Sequence, residues 1–138
     1  GLHDTKHALA TDTLQVPPDL YERNLLEILS LARGKKTFPV WVRITPLNKK
    51  TVQPPEIATW HFEKEVDQYN AIADRVMTAA GVPVIDLFSF TKNLGSDIYL
   101  NGSDHVHFNE EASRLQAAFV AGALMSIVAS STEPRTYP

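Results

Sequence analysis

Helical and extended patterns alternate along this chain, but only two segments read as buried strands, and that shortage constrains the fold more than any other feature. From Asp19 onward Tyr21, Leu25, Ile28, Leu29 and Ala32 fall at helical spacing. Asp19 is placed to cap this helix, Glu22 lies three residues on, and Gly34 stands just past its end. Residues 38–44 form a short β-branched and aromatic run stopped by Thr45-Pro46, which predicts a buried strand. Residues 47–60 carry Pro54-Pro55 and no sustained period, and read as a long loop.

Phe62, Val66, Tyr69, Ala73, Val76 and Ala80 recur at threes and fours before Gly81, which predicts a second amphipathic helix. Residues 82–86 read as a second strand, 87–94 as a short helix, and 95–104 as a polar loop with the Asn101-Gly102 turn signal. The last helix is expected from about Asn109, with Leu115, Ala118, Phe119, Gly122 and Met125 as its apolar stripe. Residues 1–129 are read as one domain, and 130–138 as a flexible tail. Such an order argues an α/β architecture with a parallel sheet flanked by helices. Two parallel strands leave most helix faces uncovered, so further strands are expected from before Gly1 or from a partner, and a sheet edge left open invites self-association.

Composition narrows the function. Thirteen Lys and Arg stand against sixteen Asp and Glu, a net charge of -3, so the chain has no basic footprint for nucleic acid. The absence of cysteine removes thiol nucleophiles, thiolate metal sites and disulfides, and leaves the compartment open. No unbroken apolar run approaches the roughly 18 residues of a membrane span, so none is expected. With 43% hydrophobic residues, the 138-residue chain has enough apolar material for one core.

The densest polar constellation is Asp104-His105-Val106-His107, in a loop that feeds the last helix. Asp104 and His107 are three apart. If the chain turns there, the carboxylate orients the imidazole and leaves the other ring nitrogen facing a reacting hydroxyl. A plainer reading makes Asp104 the cap of the helix that follows and His107 a packed residue at its start. A third gathers Asp104, His105 and His107 as metal ligands, joined by His3 and His7. At the other end Gly1 and His3 would follow a strand lying before this chain, where backbone N–H groups meet an anion and a glycine permits close approach.

The residues Gly1-Leu2-His3-Asp4, the helix carrying Tyr69-Asn70-Ala71, and Asp104-His105-Val106-His107-Phe108 together resemble the SGNH hydrolases, the GDSL esterase and lipase family. The resemblance implies the C-terminal portion of a flavodoxin-like three-layer α/β/α sandwich with a parallel sheet. It implies serine-dependent ester hydrolysis through an acyl-enzyme, on a small-molecule or carbohydrate ester and without a cofactor. His107 would be the general base and Asp104 the residue that holds it. Gly1 and His3 would line the oxyanion site, and Asp4 would support the turn. The family places asparagine where this chain has His3. Its Gly-Asp-Ser block has no counterpart among the eight serines of this chain, so the nucleophile is expected upstream and the chain alone is expected to be inactive or nearly so.

Two rivals stay open: a non-catalytic binding module of the same fold, and a metal-dependent hydrolase using Asp104, His105 and His107. Among the aromatic residues, Trp41 and Phe62 are expected in the core and Trp60, in the long loop, as a ligand contact. Lys49-Lys50 reads as a solvated loop tip.

Overall fold

The computed structural model describes residues 1–100 and 104–132. The core lies between α1 (Pro18–Gly34) and α2 (Glu63–Ala79), where Tyr21, Leu25 and Leu29 meet Val66, Tyr69, Ala73, Val76 and Met77. The rings of Tyr21 and Tyr69 lie 4.7 Å apart, and the Tyr69 hydroxyl donates to the Val16 carbonyl. The helix α2 ends as its sequence predicts: Ala80 closes the last turn and Gly81, at φ 66°, takes the left-handed conformation.

The start of α1 differs from expectation. Pro17 occupies the capping position and Pro18 the first turn, with no side-chain cap, because the fixed φ of proline already suits a helix start. Asp19 is therefore one residue inside the helix. At the far end Gly34 is still helical, and Lys36 adopts the positive φ of 54°. Ile28, expected on the buried stripe, is exposed.

The two expected strands are present and parallel but shorter: β3 (Trp41–Val42) pairs with β5 (Val84–Ile85), with Trp41 opposite Val84. Pro39 lacks the N–H a ladder needs, and Phe38 before it is 61% exposed. Beyond β3 the buried Asn70 of α2 continues the pairing with its side chain. Its Oδ1 accepts from the Ile44 N–H and its Nδ2 donates to the Ile44 carbonyl, both at 2.9 Å. Arg43 donates a fork of bonds to Asp74 of α2, at 2.9 and 2.7 Å, and pairs with Asp86 at 2.8 Å.

A second sheet escapes the sequence patterns. Here β1 (His7–Ala8) lies between β2 (Thr13–Leu14) and β4 (Thr59–Trp60), all antiparallel, with His7 opposite both Leu14 and Trp60. The expected 47–60 loop is thus anchored at its end. The hairpin between β1 and β2 turns through Asp12 at φ 52°, a conformation that aspartate tolerates better than most residues.

Asp86 caps α3 (Leu87–Asn93) by accepting from the Ser89 N–H at 3.0 Å. Asn109 plays the same part for α4 (Glu110–Thr132), accepting from the Ala112 N–H at 2.9 Å. The helix α4 packs on α3 through Ala112, Gln116 and Phe119, with Phe119 stacked 4.2 Å from Phe90 and Gln116 bonded to Thr91 at 3.0 Å. Leu115 and Met125 of the expected stripe face outward, Met125 being 74% exposed. The reason is compositional. Apolar residues run nearly all round α4, so their period does not choose a face.

Residues 130–132, expected in the tail, continue α4, and the Ser130 and Ser131 hydroxyls bond back to the Ser126 and Ile127 carbonyls. Residues 133–138 and the Asn101-Gly102 turn lie outside the described residues. By length and composition Glu110–Ser131 is long and apolar enough to cross a membrane, its most apolar 18-residue window having a mean hydropathy of 1.4. Ser113, Gln116 and Ser126 break its apolar runs, so a search for unbroken runs passes over it.

Candidate functional site

Tyr99 and Phe108 form an antiparallel bridge, the Leu100 N–H donates to the His107 carbonyl, and the Asn109 N–H donates to the Ile98 carbonyl. This pairing fixes the loop that carries Asp104 and His107. Asp104 Oδ1 accepts from the N–H groups of Val106 and His107 at 2.9 and 2.8 Å, which makes the tight turn that spacing alone left open. Asp104 Oδ2 lies 2.8 Å from His107 Nδ1.

Burial works to raise the Asp104 carboxyl, but the bonds from His107 and Val106 outweigh it and hold the group below its usual range. It is a carboxylate at neutral pH. With His107 Nδ1–H donating to it, Nε2 carries the lone pair, and the side chain is 72% exposed. An oriented imidazole with an outward lone pair can take a proton from a hydroxyl placed against it. Asn109, not Asp104, caps the helix that follows.

Residues 1–5 form a tight turn in which the Asp4 N–H donates to the Gly1 carbonyl. A Cβ at Gly1 would meet nothing within 4 Å. His3 is exposed. The buried Thr5 bonds His61 Nδ1 at 2.9 Å, and the His61 ring lies 5.7 Å from that of His105. The sequence pattern did not single out His61. It connects the Gly1-Leu2-His3-Asp4 block to the Asp104 loop, and its one sequence signal is its place between Trp60 and Phe62. Burial above all, then the charges of His105, Lys6 and His3, depresses His61 to about 4.

Other expectations change. Trp60, expected as an open ligand contact, is only 8% exposed, because β4 carries it inward and its ring stacks on His105 at 3.7 Å. The metal alternative is not assembled: among the described residues no three His, Asp or Glu converge to hold an ion. The His105 ring is turned onto Trp60, and the His107 ring onto Asp104. His7 is buried in β1 between Asp12, at 2.7 Å from its Nε2, and Glu65, at 3.4 Å from its Nδ1. Lys49 and Lys50 are exposed as expected, and they pair with Glu63 and Asp97. Ser103 lies outside the described residues.

No protein-family model matches this sequence, and no curated protein does. Solved structures do. A lipase/acylhydrolase from Enterococcus faecalis superposes with a TM-score of 0.67 over 90% of this chain, at 18% identity. A GDSL-like lipase from Bacteroides thetaiotaomicron superposes with a TM-score of 0.62 over 86% of it, also at 18% identity. The chain spans 57% of the length of each of these proteins. At this identity the likeness establishes the fold: this chain has the α/β fold of GDSL-like lipases, in part of its extent.

Proposed function

We propose that this chain supplies the acid and base of an SGNH-type serine esterase. The observation that carries the reading is the Asp104–His107 pair, with its 2.8 Å contact, its carboxylate held ionised, and its imidazole otherwise exposed. In the proposed reaction a serine outside residues 1–138 is the nucleophile. His107 Nε2 takes the hydroxyl proton as the serine oxygen bonds the acyl carbon, and then returns that proton to the departing alcohol. Water hydrolyses the acyl-enzyme by the same route. Asp104 keeps Nδ1 protonated and stabilises the imidazolium.

Residues 1–4 form the oxyanion side, with His3 or a backbone amide as donor where the family carries asparagine, and with Asp4 bracing the turn. Thr5 and His61 join that turn to the Asp104 loop, which supports a shared site. The exposed apolar faces of α1 and α4, with Leu26, Leu31, Met125 and Val128 among them, fit helices of a larger three-layer sandwich whose parallel sheet includes β3 and β5. The route uses no metal or organic cofactor.

The test is ester hydrolysis by the protein extended with the residues encoded before Gly1, with His107→Ala alongside. The expected loss in kcat/KM is about 10³-fold or more. Equal activity in the two proteins, or an extension with no serine after an apolar strand, removes the esterase reading and leaves a binding module of this fold.

A further inference from the structure

A cavity of about 280 Å3 opens between residues 46–50, which follow β3, and residues 88–99, which follow β5. It lies outside the carboxyl ends of the two parallel strands, where α/β sheets commonly receive their ligands. Its two walls are tied together: the Tyr99 hydroxyl donates to the Pro46 carbonyl at 3.1 Å, and Lys50 Nζ donates to Ser96 Oγ at 2.8 Å. Both walls also hold the loop of the proposed base. The Asn48 N–H donates to the His105 carbonyl at 2.9 Å, and Tyr99 pairs with Phe108, next to His107.

What these walls offer a ligand is narrow. Pro46 and Leu47 are buried, and with Phe88 and Tyr99 they make the lining mainly apolar. The neutral polar side chains are already engaged within the protein. Asn48 Oδ1 accepts from the Lys50 N–H at 3.1 Å and its Nδ2 donates to the Asp104 carbonyl at 3.2 Å, Thr91 accepts from Gln116 at 3.0 Å, and Ser96 Oγ donates to Asp97 at 3.2 Å. Selection is left to the charges. Lys49 is neutralised by Glu63 at 2.6 Å. Lys50 has Asp97 at 3.8 Å, on a side chain 99% exposed, a pair that solvent screens. Lys92 Nζ lies 5.9 Å from the centre of the Phe88 ring, and among the described residues no carboxylate pairs with it. Three ammonium groups against two carboxylates leave one positive charge beside an apolar cavity.

A small carboxylic acid in its ionised form meets these conditions. Its apolar body replaces water against Leu47, Phe88 and Tyr99, and its single charge offsets the surplus ammonium. A neutral sugar finds its polar partners already taken, and an amine meets like charge. The volume is below the roughly 300 Å3 at which pockets for drug-sized ligands begin, so the body is short. We infer that this cavity binds a monocarboxylate with a compact apolar body, of the size of hexanoate or benzoate, with Lys92 and Lys50 as its counter-ions. The binding does not depend on the esterase reading, because His107 takes no part in it.

The test is a proton NMR titration of the chain at pH 7 with hexanoate and benzoate, following the ring signals of Phe88 and Tyr99. Among the comparators, 1-hexanol keeps the apolar body without the charge, hexylammonium reverses the charge, and acetate keeps the charge without the body. Saturable shifts at millimolar concentration are expected with at least one of the two larger carboxylates, with every comparator weaker by about fivefold or more. Replacing both lysines, Lys50→Gln with Lys92→Gln, should weaken carboxylate binding about tenfold. Glu63→Gln, which releases Lys49, should tighten it, and His107→Ala should leave it intact. Absence of saturable shifts with both larger carboxylates, or a comparator that binds as tightly as they do, overturns the inference, and neither result requires a variant to fold. Carboxylate binding that is lost in His107→Ala but kept in the double lysine variant also overturns it, by placing the anion on the imidazole.

Discussion

His61 shows what a residue pattern conceals and a structure supplies. Asp104 and His107 were legible as a pair because both partners of a local turn lie within four residues, although spacing left helix capping and metal binding open. His61 meets Thr5 from 56 positions away, and no local rule connects them. The stack of Trp60 on His105 was equally hidden, so that Trp60 read as an open contact. The buried His61 also makes a measurable demand. Its native value of about 4 lies below the ordinary 6.5, so between these values the unfolded chain binds the extra proton. Stability is then highest above pH 6.5 and declines as the pH falls toward 4, by about 2–3 kcal/mol if the whole shift is realised. Urea unfolding at pH 7 and pH 4.5 checks this. His61→Gln, which keeps an N–H donor for Thr5, should flatten most of the decline, and an unchanged slope would contradict the assignment.

Among the elements, α2 was legible almost to the residue because its apolar stripe is narrow and Gly81 supplies a sharp stop. The antiparallel sheet was not, since two-residue strands give period-two alternation nothing to act on. The strands β3 and β5 were found but overextended, because Pro39 denies the ladder a donor where the hydrophobic run continues. Asn70 takes over the pairing at Ile44, and Asn70→Leu should cost about 2–4 kcal/mol in chemical unfolding by stranding a buried N–H and carbonyl. The rotation of α4 was illegible for the opposite reason, an excess of apolar residues. Its orientation predicts that Phe119→Ala costs about 1–3 kcal/mol through the lost stack on Phe90, while Met125→Ala stays within about 0.5 kcal/mol. Equal costs would place α4 in the register first expected from its sequence.

At the scale of the molecule, the chain spans 57% of the length of each of the superposed lipases. The fold is that of GDSL-like lipases, and the proposal completes its chemistry with a serine from outside these 138 residues. Fluorophosphonate labelling of the extended protein, with the modified residue identified by mass spectrometry, tests this most directly because the reagent marks a serine only where a base has activated it. One adduct is expected, on a serine outside residues 1–138, and it disappears in His107→Ala. An adduct on one of the eight serines within the chain, or labelling that survives loss of His107, would contradict it.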